Sequence, residues 1–302
     1  MSKGQQGSGS TVRRVLLGMQ LRRLREARGI SREAAGYEIR ASESKISRME
    51  LGRVSFKRRD IEDLLTYYGV TGTERVEILE LTQEANQPGW WHRYNDIMPH
   101  WFQSYVGFEQ AASRIRTYEI QFVPGLLQTE EYARSVIGAA QGAGATDDVE
   151  RRVAMRMRRQ QLLTTTEGER LQLWAVIDEA ALRRRIGNPS VMRGQAEHLI
   201  ALSKRPNITI QVMPFRFGGH TAEGGAFSIL RFPEADMTDI VYVEQLTSAQ
   251  YLEKADEIER YTQVMDQLSV DSMTPRETVR TLDQYAKTLR ELENREESAE
   301  AR

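Results

Sequence analysis

Residues 41–53, ASESKISRMELGR, contain the side chains best suited to read a nucleic acid. Five polar residues that could contact bases lie within seven positions: Ser42, Glu43, Ser44, Lys45 and Arg48. Hydroxyl, amine and guanidinium groups hydrogen-bond to base edges in the major groove of DNA, and a carboxylate accepts a hydrogen bond from cytosine N4. Ile46 and Met49, three residues apart, predict that the stretch is a helix with one buried face. The pattern therefore predicts an exposed polar helix face that contacts bases.

A second short helix is predicted just before this one. Ser31 caps the helix REAAGYEI, and Ser42 caps the helix that follows. The inner faces are small or aliphatic, so the helices can cross closely: Ala35, Gly36, Ile39, Ile46 and Met49. Free N–H groups at the helix starts, near Ser31-Arg32 and Ser42-Glu43, attract phosphates. Two such helices joined by a tight turn form a helix-turn-helix, whose second helix enters the major groove.

Three further helical patterns complete an N-terminal domain over residues 12–86. The first has leucines at helical spacing and ends at Gly29, and the last two are KRRDIEDLLTYYGV and TGTERVEILELTQEAN. We therefore expect five helices in this domain. Residues 1–11 are rich in Gly, Ser and Gln, and we expect them to form a disordered arm.

Residues 17–70 resemble the lambda-repressor-like (XRE) helix-turn-helix domain through LRRLREARGISREAAGYEIRASESKISRMELGR. The match to the frame LRxLREARGxSxxxxA…SxSxISRxExGR is specific. The resemblance implies that Ser42, Glu43, Ser44 and Arg48 face bases. It also implies a phosphate contact for Arg32 at the start of the second helix. Backbone contacts, or an approach to the minor groove, are implied for Arg53, Lys57 and Arg58. Double-stranded operator DNA is the partner that follows from this resemblance.

The resemblance further implies an ion pair inside the domain. Arg25 and Glu50 match positions that pair, in that family, between the first helix and the end of the third. We expect their charged atoms within hydrogen-bonding reach, because an arginine neutralises a half-buried carboxylate. The sequence departs from the family where Gly36 replaces the usual Ala and Arg40 replaces the usual Gly of the turn. These departures predict a turn of slightly different shape.

The rest of the chain predicts an α+β domain over residues 87–270 and a helical tail over 271–302, separated from the first domain at Pro88-Gly89. Four runs are strand-like: LQLWAVI, ITIQVMPF, FSILRF and IVYVEQ. The helical patterns are EQAASRIRTYE, TEEYARSVI, Val149 to Leu163, about 190–203, and a charged helix from about Ala249 to Leu268. The expected fold class is an all-α helix-turn-helix domain followed by an α+β C-terminal domain.

This second part resembles the domain of unknown function that follows such modules in actinobacterial regulators. The stretches that carry the resemblance are GWWHRYNDIMPHWFQSYVGFEQAASRIRTYEIQFVPGLLQTEEYARSVI, LWAVIDEAALRRRIG, NITIQVMPF and FSILRFPE. Together the two resemblances cover about residues 15–270. Such regulators often occur beside a gene for a very short companion protein, which is therefore a candidate partner. The resemblance supplies no ligand.

An aromatic cluster lies just after the expected boundary: Trp90, Trp91, Trp101, Phe102 and Tyr105. As an exposed surface, it would be a binding hot spot for a partner. As a buried cluster, it would dock the linker onto the following domain, which is the more common arrangement.

An enzymatic interpretation rests on four residues: Asp178, Glu179, His220 and Glu223. They form a candidate acid–base set, although nothing in the sequence brings them together. The loop GGHTAEGG lacks the Gly-Lys-Ser/Thr ending of a phosphate loop, so we expect a long hairpin connection there. With no cysteine and four scattered histidines, we expect no metal and no cofactor.

Charge divides the chain into two parts. Residues 1–70 carry 15 Lys and Arg against 8 Asp and Glu, and the remainder carries 27 against 35. A basic module on an acidic body suits a protein that meets a polyanion at one end. The absence of a long apolar run or a signal-peptide-like start predicts a cytoplasmic, nucleoid-associated protein with no membrane segment.

These features predict a sequence-specific transcription regulator that binds DNA as a homodimer and senses a partner or ligand through its C-terminal domain. Two alternatives stay open. The first is an antitoxin-like autoregulator that binds a small companion protein, and the second is an enzyme with a DNA-binding module.

Overall fold

A computed structural model describes residues 10–52, 54–141, 146–164, 170–233 and 237–300. The helices are α1 Ser10–Ala27, α2 Arg32–Glu38, α3 Glu43–Glu50, α4 Arg58–Tyr67, α5 Gly72–Ala85, α6 His100–Ala111, α7 Glu130–Gln141, α8 Thr146–Arg159, α9 Glu179–Arg183, α10 Pro189–Leu202, α11 Ala255–Asp271 and α12 Pro275–Glu300. The strands are β1 Arg114–Glu119, β2 Gln172–Asp178, β3 Ile208–Met213, β4 Phe227–Arg231, β5 Ile240–Glu244 and β6 Ala249–Leu252. Two compact units divide at Ala111, with Met237 also in the first.

The first unit is helical, and its core is formed by apolar positions that recur at helical spacing. The buried residues of this core include Leu17, Leu21, Leu24, Ile46, Met49, Ile61, Leu64, Leu65 and Ile78. The side chain of Ser31 caps α2 by accepting the Ala34 N–H at 3.0 Å. The side chain of Ser42 caps α3 by accepting the Lys45 N–H at 3.2 Å. Helices α1 to α5 correspond to the five helices expected over residues 12–86.

Two glycines allow α1 to cross the end of α3 at close range. A Cβ atom on Gly18 would lie 2.5 Å from the carbonyl oxygens of both Met49 and Glu50. Gly52 has a φ of +64°, and a Cβ there would lie 2.7 Å from the Val15 backbone nitrogen. Backbone therefore packs directly on backbone, and this contact fixes the position of α3 in the unit.

The second unit contains a six-stranded mixed sheet in the order β3-β2-β1-β4-β5-β6. Strands β1, β2 and β3 are parallel, whereas β4, β5 and β6 join the other side of β1 as antiparallel neighbours. Helix α11 packs on one face through Met265 and Leu268, which contact a cluster that includes Tyr118, Val176 and Ile229. Helices α10 and α12 pack against each other, and α12 also contacts β3.

The expected fold class, a helical domain followed by an α+β domain, is confirmed. The four strand-like runs of the sequence correspond to β2, β3, β4 and β5. The helix predicted for EQAASRIRTYE is wrong in its second half, because α6 ends at Ala111 and RIRTYE is the central strand β1. Arg114 and Arg116 flank the buried Ile115, and these two arginines gave the strand a charged composition that suggested a helix surface.

Two connections also differ from expectation. Residues 249–252 form the edge strand β6, and the helix expected to start there begins at Ala255. The loop containing GGHTAEGG is not a hairpin, because β3 and β4 are separated in the sheet by β2 and β1. Alternation of side chains cannot show which strands are neighbours, so the sequence could not distinguish a hairpin from this crossover. In the described part of the chain, no helix is long and apolar enough to cross a membrane.

Candidate nucleic-acid interface

The turn between α2 and α3 is unusually tight. The Ala41 N–H donates to the Gly36 carbonyl oxygen at 2.8 Å, and a Cβ on Gly36 would lie 2.7 Å from the Ala41 carbonyl oxygen. Arg40 has a φ of 55°, the left-handed conformation that no other non-glycine residue adopts in the described chain. Gly36 in place of the usual alanine therefore has a structural reason. The turn folds back so closely on α2 that position 36 has no room for a methyl group.

The exposed face of α3 carries four of the five residues expected to read bases: Ser42, Glu43, Ser44 and Arg48. The opposite face is buried through Ile46 and Met49. The Arg48 Nε donates to the Ser44 carbonyl oxygen at 3.3 Å, which directs the side chain back along the helix. A short polar face backed by a buried apolar face has the shape and chemistry of a helix that enters a major groove.

Lys45, the fifth residue of this set, is held by a neighbouring helix. Its Nζ lies 2.5 Å from an Oδ2 oxygen of Asp60 on α4, and the two side chains are 31% and 14% exposed. The ion pair fixes α3 against α4 and neutralises the lysine. Lys45 is consequently less available to bases than its sequence position suggested. Asp60 could not be identified from the sequence as the partner of Lys45, because it lies fifteen residues away on another helix.

One buried carboxylate joins three segments of the domain. The Glu50 side chain, only 3% exposed, accepts hydrogen bonds from Arg25 Nε at 2.5 Å and Arg25 Nη2 at 3.1 Å. Arg25 also donates to the Ile30 carbonyl oxygen at 2.8 Å. The hydrogen bonds from Arg25 to Glu50 raise the pKa of the arginine above its ordinary value, so the guanidinium stays charged. The structure thus brings together the two residues expected to form an ion pair.

Arg32, expected at a phosphate, also binds this carboxylate. Its Nε donates to Glu50 Oε2 at 2.9 Å, and about a third of its side chain is exposed. The guanidinium is therefore oriented by Glu50 at the start of α2. Ser31, beside it, is exposed and uses its hydroxyl to cap the helix.

The remaining candidate backbone contacts lie at the start of α4. Lys57 and Arg58 are exposed, and Arg58 Nε pairs with Glu62 at 2.8 Å. Arg53 lies outside the described residues. The Asn86 side chain holds the segment before Lys57 through two hydrogen bonds with the backbone of Phe56, at 3.0 and 2.6 Å. This polar clamp was not found from the sequence, because asparagine at the end of a helix usually indicates only a cap.

The aromatic cluster lies in the first unit and is mixed in exposure. Trp91 and Tyr105 are buried, whereas Trp90, Trp101 and Phe102 are partly buried. Trp90 meets Trp91 edge-on with ring centroids 6.0 Å apart, and Phe102 stacks on Tyr105 at 5.4 Å. Most of these rings pack on each other within the unit.

The residues considered for enzymatic chemistry are partly brought together in the second unit. His220 Nε2 lies 2.9 Å from the Tyr118 hydroxyl, which lies 3.3 Å from Asp178 Oδ2. The Ala222 N–H donates to His220 Nδ1 at 3.2 Å, so Nε2 carries the proton of a neutral imidazole and donates to Tyr118. Glu179 instead pairs with Arg183, and Glu223 is exposed. This chain of hydrogen bonds attaches the loop that contains His220 to the sheet. Among the described residues, no group of His, Asp and Glu is arranged to hold a metal.

The fold and the α2-turn-α3 geometry define a protein of the helix-turn-helix class. A family model described as a helix-turn-helix domain matches residues 16–78. A second model, described as a domain of unknown function (DUF5753), matches residues 102–284, which is more than half of the chain. The chain therefore belongs to the DUF5753 family and is a helix-turn-helix regulator with a C-terminal domain of unknown function. No curated protein and no solved structure matches the chain.

Proposed function

We propose that this protein is a sequence-specific transcription regulator of the XRE type that reads operator DNA with α3. The observation that carries the proposal is the rigid mounting of the exposed α3 face. Ile46 and Met49 anchor the helix in the core, Glu50 ties its end to α1 and α2, and Lys45 ties it to α4. A reading helix must be held in this way, because base discrimination depends on hydrogen-bond geometry.

The roles of the individual residues follow from their positions. Arg48 is the best candidate for a bidentate contact to guanine, and Ser42, Glu43 and Ser44 contact neighbouring base edges. Lys57, Arg58 and Arg53 contact the phosphate backbone, whereas Lys45 needs to leave Asp60 before it can reach a base.

We further propose that the protein binds as a homodimer on the nucleoid, in an actinobacterial cell. Helix-turn-helix repressors bind paired half-sites, so a monomer would bind weakly. The C-terminal domain senses a ligand or a partner. A short companion protein is a second candidate for the molecule that this domain binds, because the second unit exposes large apolar side chains, including Leu246 at 96%.

Selection of DNA sites by the intact protein tests this function. The full chain is incubated with a pool of random duplexes, and bound sequences are amplified through several rounds. We expect one sequence to be enriched, arranged as two related half-sites about one helical turn apart, roughly 10 base pairs. Retention of the pool without enrichment of any sequence would contradict sequence-specific reading.

A further inference from the structure

An open groove lies at the amino-terminal ends of β1 and β2 in the second unit. We call it the arginine groove, and it has two neighbouring cavities of about 570 and 410 Å³, both lined by Arg114 and Gln172. The other residues central to it are Arg116, Arg170, Trp174 and Arg231. Cavities of this size are typical of small-molecule sites.

The groove exists because one face of the sheet changes from apolar to polar along its strands. Tyr118 and Val176 pair across β1 and β2 beneath α11, where the face is apolar. Toward the start of the strands the next pairs on the same face are Arg116 with Trp174 and Arg114 with Gln172. The last turns of α11 border this polar part through Asp266, Ser269 and Val270, and Val270 is 77% exposed.

The charges of the groove are only partly neutralised. Arg114 is directly opposite Arg231 in the antiparallel pair of β1 and β4, an arrangement that destabilises a sheet when both residues are charged. Asp239 binds Arg231 at 2.8 Å, whereas Arg114 and Arg170 are exposed and form no ion pair within the described residues. Cationic side chains that weaken the sheet in this way are expected at a binding site, where an anionic ligand neutralises them.

Arg116 has more hydrogen-bond donors than the described residues around it satisfy. Its Nη2 binds Asp266 Oδ1 at 2.6 Å, and its guanidinium carbon lies 5.3 Å from the centre of the Trp174 ring. The ring is itself held by a 2.7 Å hydrogen bond from its Nε1 to Gln211. The Arg116 Nε is buried and finds no acceptor among the described residues. A guanidinium group fixed in this way can donate to two oxygens of one carboxylate or phosphate group at the same time.

From these observations we infer that the arginine groove binds a small molecule with two or more carboxylate or phosphate groups. The inference names the ligand class of the sensing domain and so rests on the proposed function. The four arginines of the groove outnumber the two carboxylates that pair with them, Asp239 and Asp266. The volumes of the two cavities suit a small ligand.

Calorimetric titration of the full chain without DNA tests this site. Citrate is the carboxylate probe, inorganic pyrophosphate is the phosphate probe, and glycerol is the neutral control. We expect at least one of the two anions to bind. The anion that binds more tightly shows whether the groove is specific for carboxylate or for phosphate groups. Arg114→Gln and Arg170→Gln should each weaken that binding about tenfold or more, since a hydrogen bond to a charged group is lost. Absence of binding for both anions would overturn the inference.

Two control variants locate the bound anion. Arg260→Gln removes an exposed arginine of α11 that lies outside the groove, and Arg48→Ala removes a cation of the DNA-reading helix. Both should leave anion binding unchanged, and equal loss in all four variants would overturn the site. If Arg114→Gln instead lowered the affinity for every duplex and left anion binding intact, the groove would be a DNA contact and not a ligand site. DNA-site selection is run without these anions, so failure of the proposed function is detected separately.

Discussion

At the scale of single residues, Glu50 connects α1, α2 and α3 through one carboxylate. It is buried with Arg25, and Arg32 closes the site from the side of α2. The sequence predicted the pairing with Arg25 through a family resemblance. It did not predict that Arg32 shares the carboxylate, because a lysine or arginine at a helix start is equally consistent with a phosphate contact.

Removal of the Glu50 carboxylate should strongly destabilise the first unit. In Glu50→Ala the Arg25 guanidinium stays buried without its partner, so the free energy of unfolding should fall by about 3–5 kcal/mol. Urea unfolding of the full chain, followed by tryptophan fluorescence, measures this change. The control Glu62→Ala removes a surface carboxylate and should change stability by less than about 0.5 kcal/mol. Similar losses in both variants would show that Glu50 is not the central ion-pair residue.

Glu119, at the end of β1, should make the stability of the second unit depend on pH. Burial, with the nearby charge of Glu244, raises its pKa to about 8, and Arg156 offsets part of this effect. The folded unit therefore keeps a proton that the unfolded chain releases near pH 4.5. Stability from this group is complete below pH 4.5 and is lost as the pH rises toward 8, by at most about 1.4 kcal/mol per pH unit. Urea unfolding at pH 5 and pH 8 should show the loss, and Glu119→Gln should remove it; an unchanged pH dependence in Glu119→Gln would contradict this assignment.

At the scale of elements, the turn between α2 and α3 depends on Gly36 and Arg40 together. Gly36→Ala places a methyl group against the Ala41 carbonyl oxygen and should destabilise the first unit by about 1–3 kcal/mol. Arg40→Gly relieves a left-handed conformation and should stabilise it by up to about 1 kcal/mol, less the added entropy of the unfolded chain. Thermal unfolding of both variants checks the two signs. Stabilisation by Gly36→Ala would mean that the turn is looser than described.

Local patterns explain why some elements could be predicted and others could not. The caps Ser31 and Ser42 act on backbone atoms three residues away, so the starts of α2 and α3 were readable from the sequence. The ion pair of Lys45 with Asp60 and the neighbour order of β1 depend on residues far apart in the chain. Such contacts leave no periodic signal, and the same holds for the arginine groove, which forms only when β1, β2 and β4 are adjacent.

At the scale of the whole molecule, the charge distribution predicts that the first unit contacts DNA and that the second unit does not. The acidic balance of the chain after residue 70 disfavours contact with DNA phosphates within a Debye length of about 8 Å at physiological salt. A fragment of residues 112–302 should therefore leave duplex DNA unshifted in a gel. A fragment of residues 1–111 should bind the selected operator at least tenfold more weakly than the full chain, if the second unit joins two half-sites. Equal affinity of this fragment and the full chain would exclude the second unit as the dimerising element.

The most direct measurement of DNA reading by α3 compares two cation-removing variants of the full chain, Arg48→Ala and Lys57→Ala, on the selected operator and on random duplex DNA. Arg48→Ala should cost about 1–3 kcal/mol of binding free energy on the operator and little on random DNA, so that sequence preference is relaxed. Lys57→Ala should weaken both duplexes alike and reduce the slope of log affinity against log salt by about one unit. Equal losses on operator and random DNA for both variants would contradict the assignment of α3 as the reading helix.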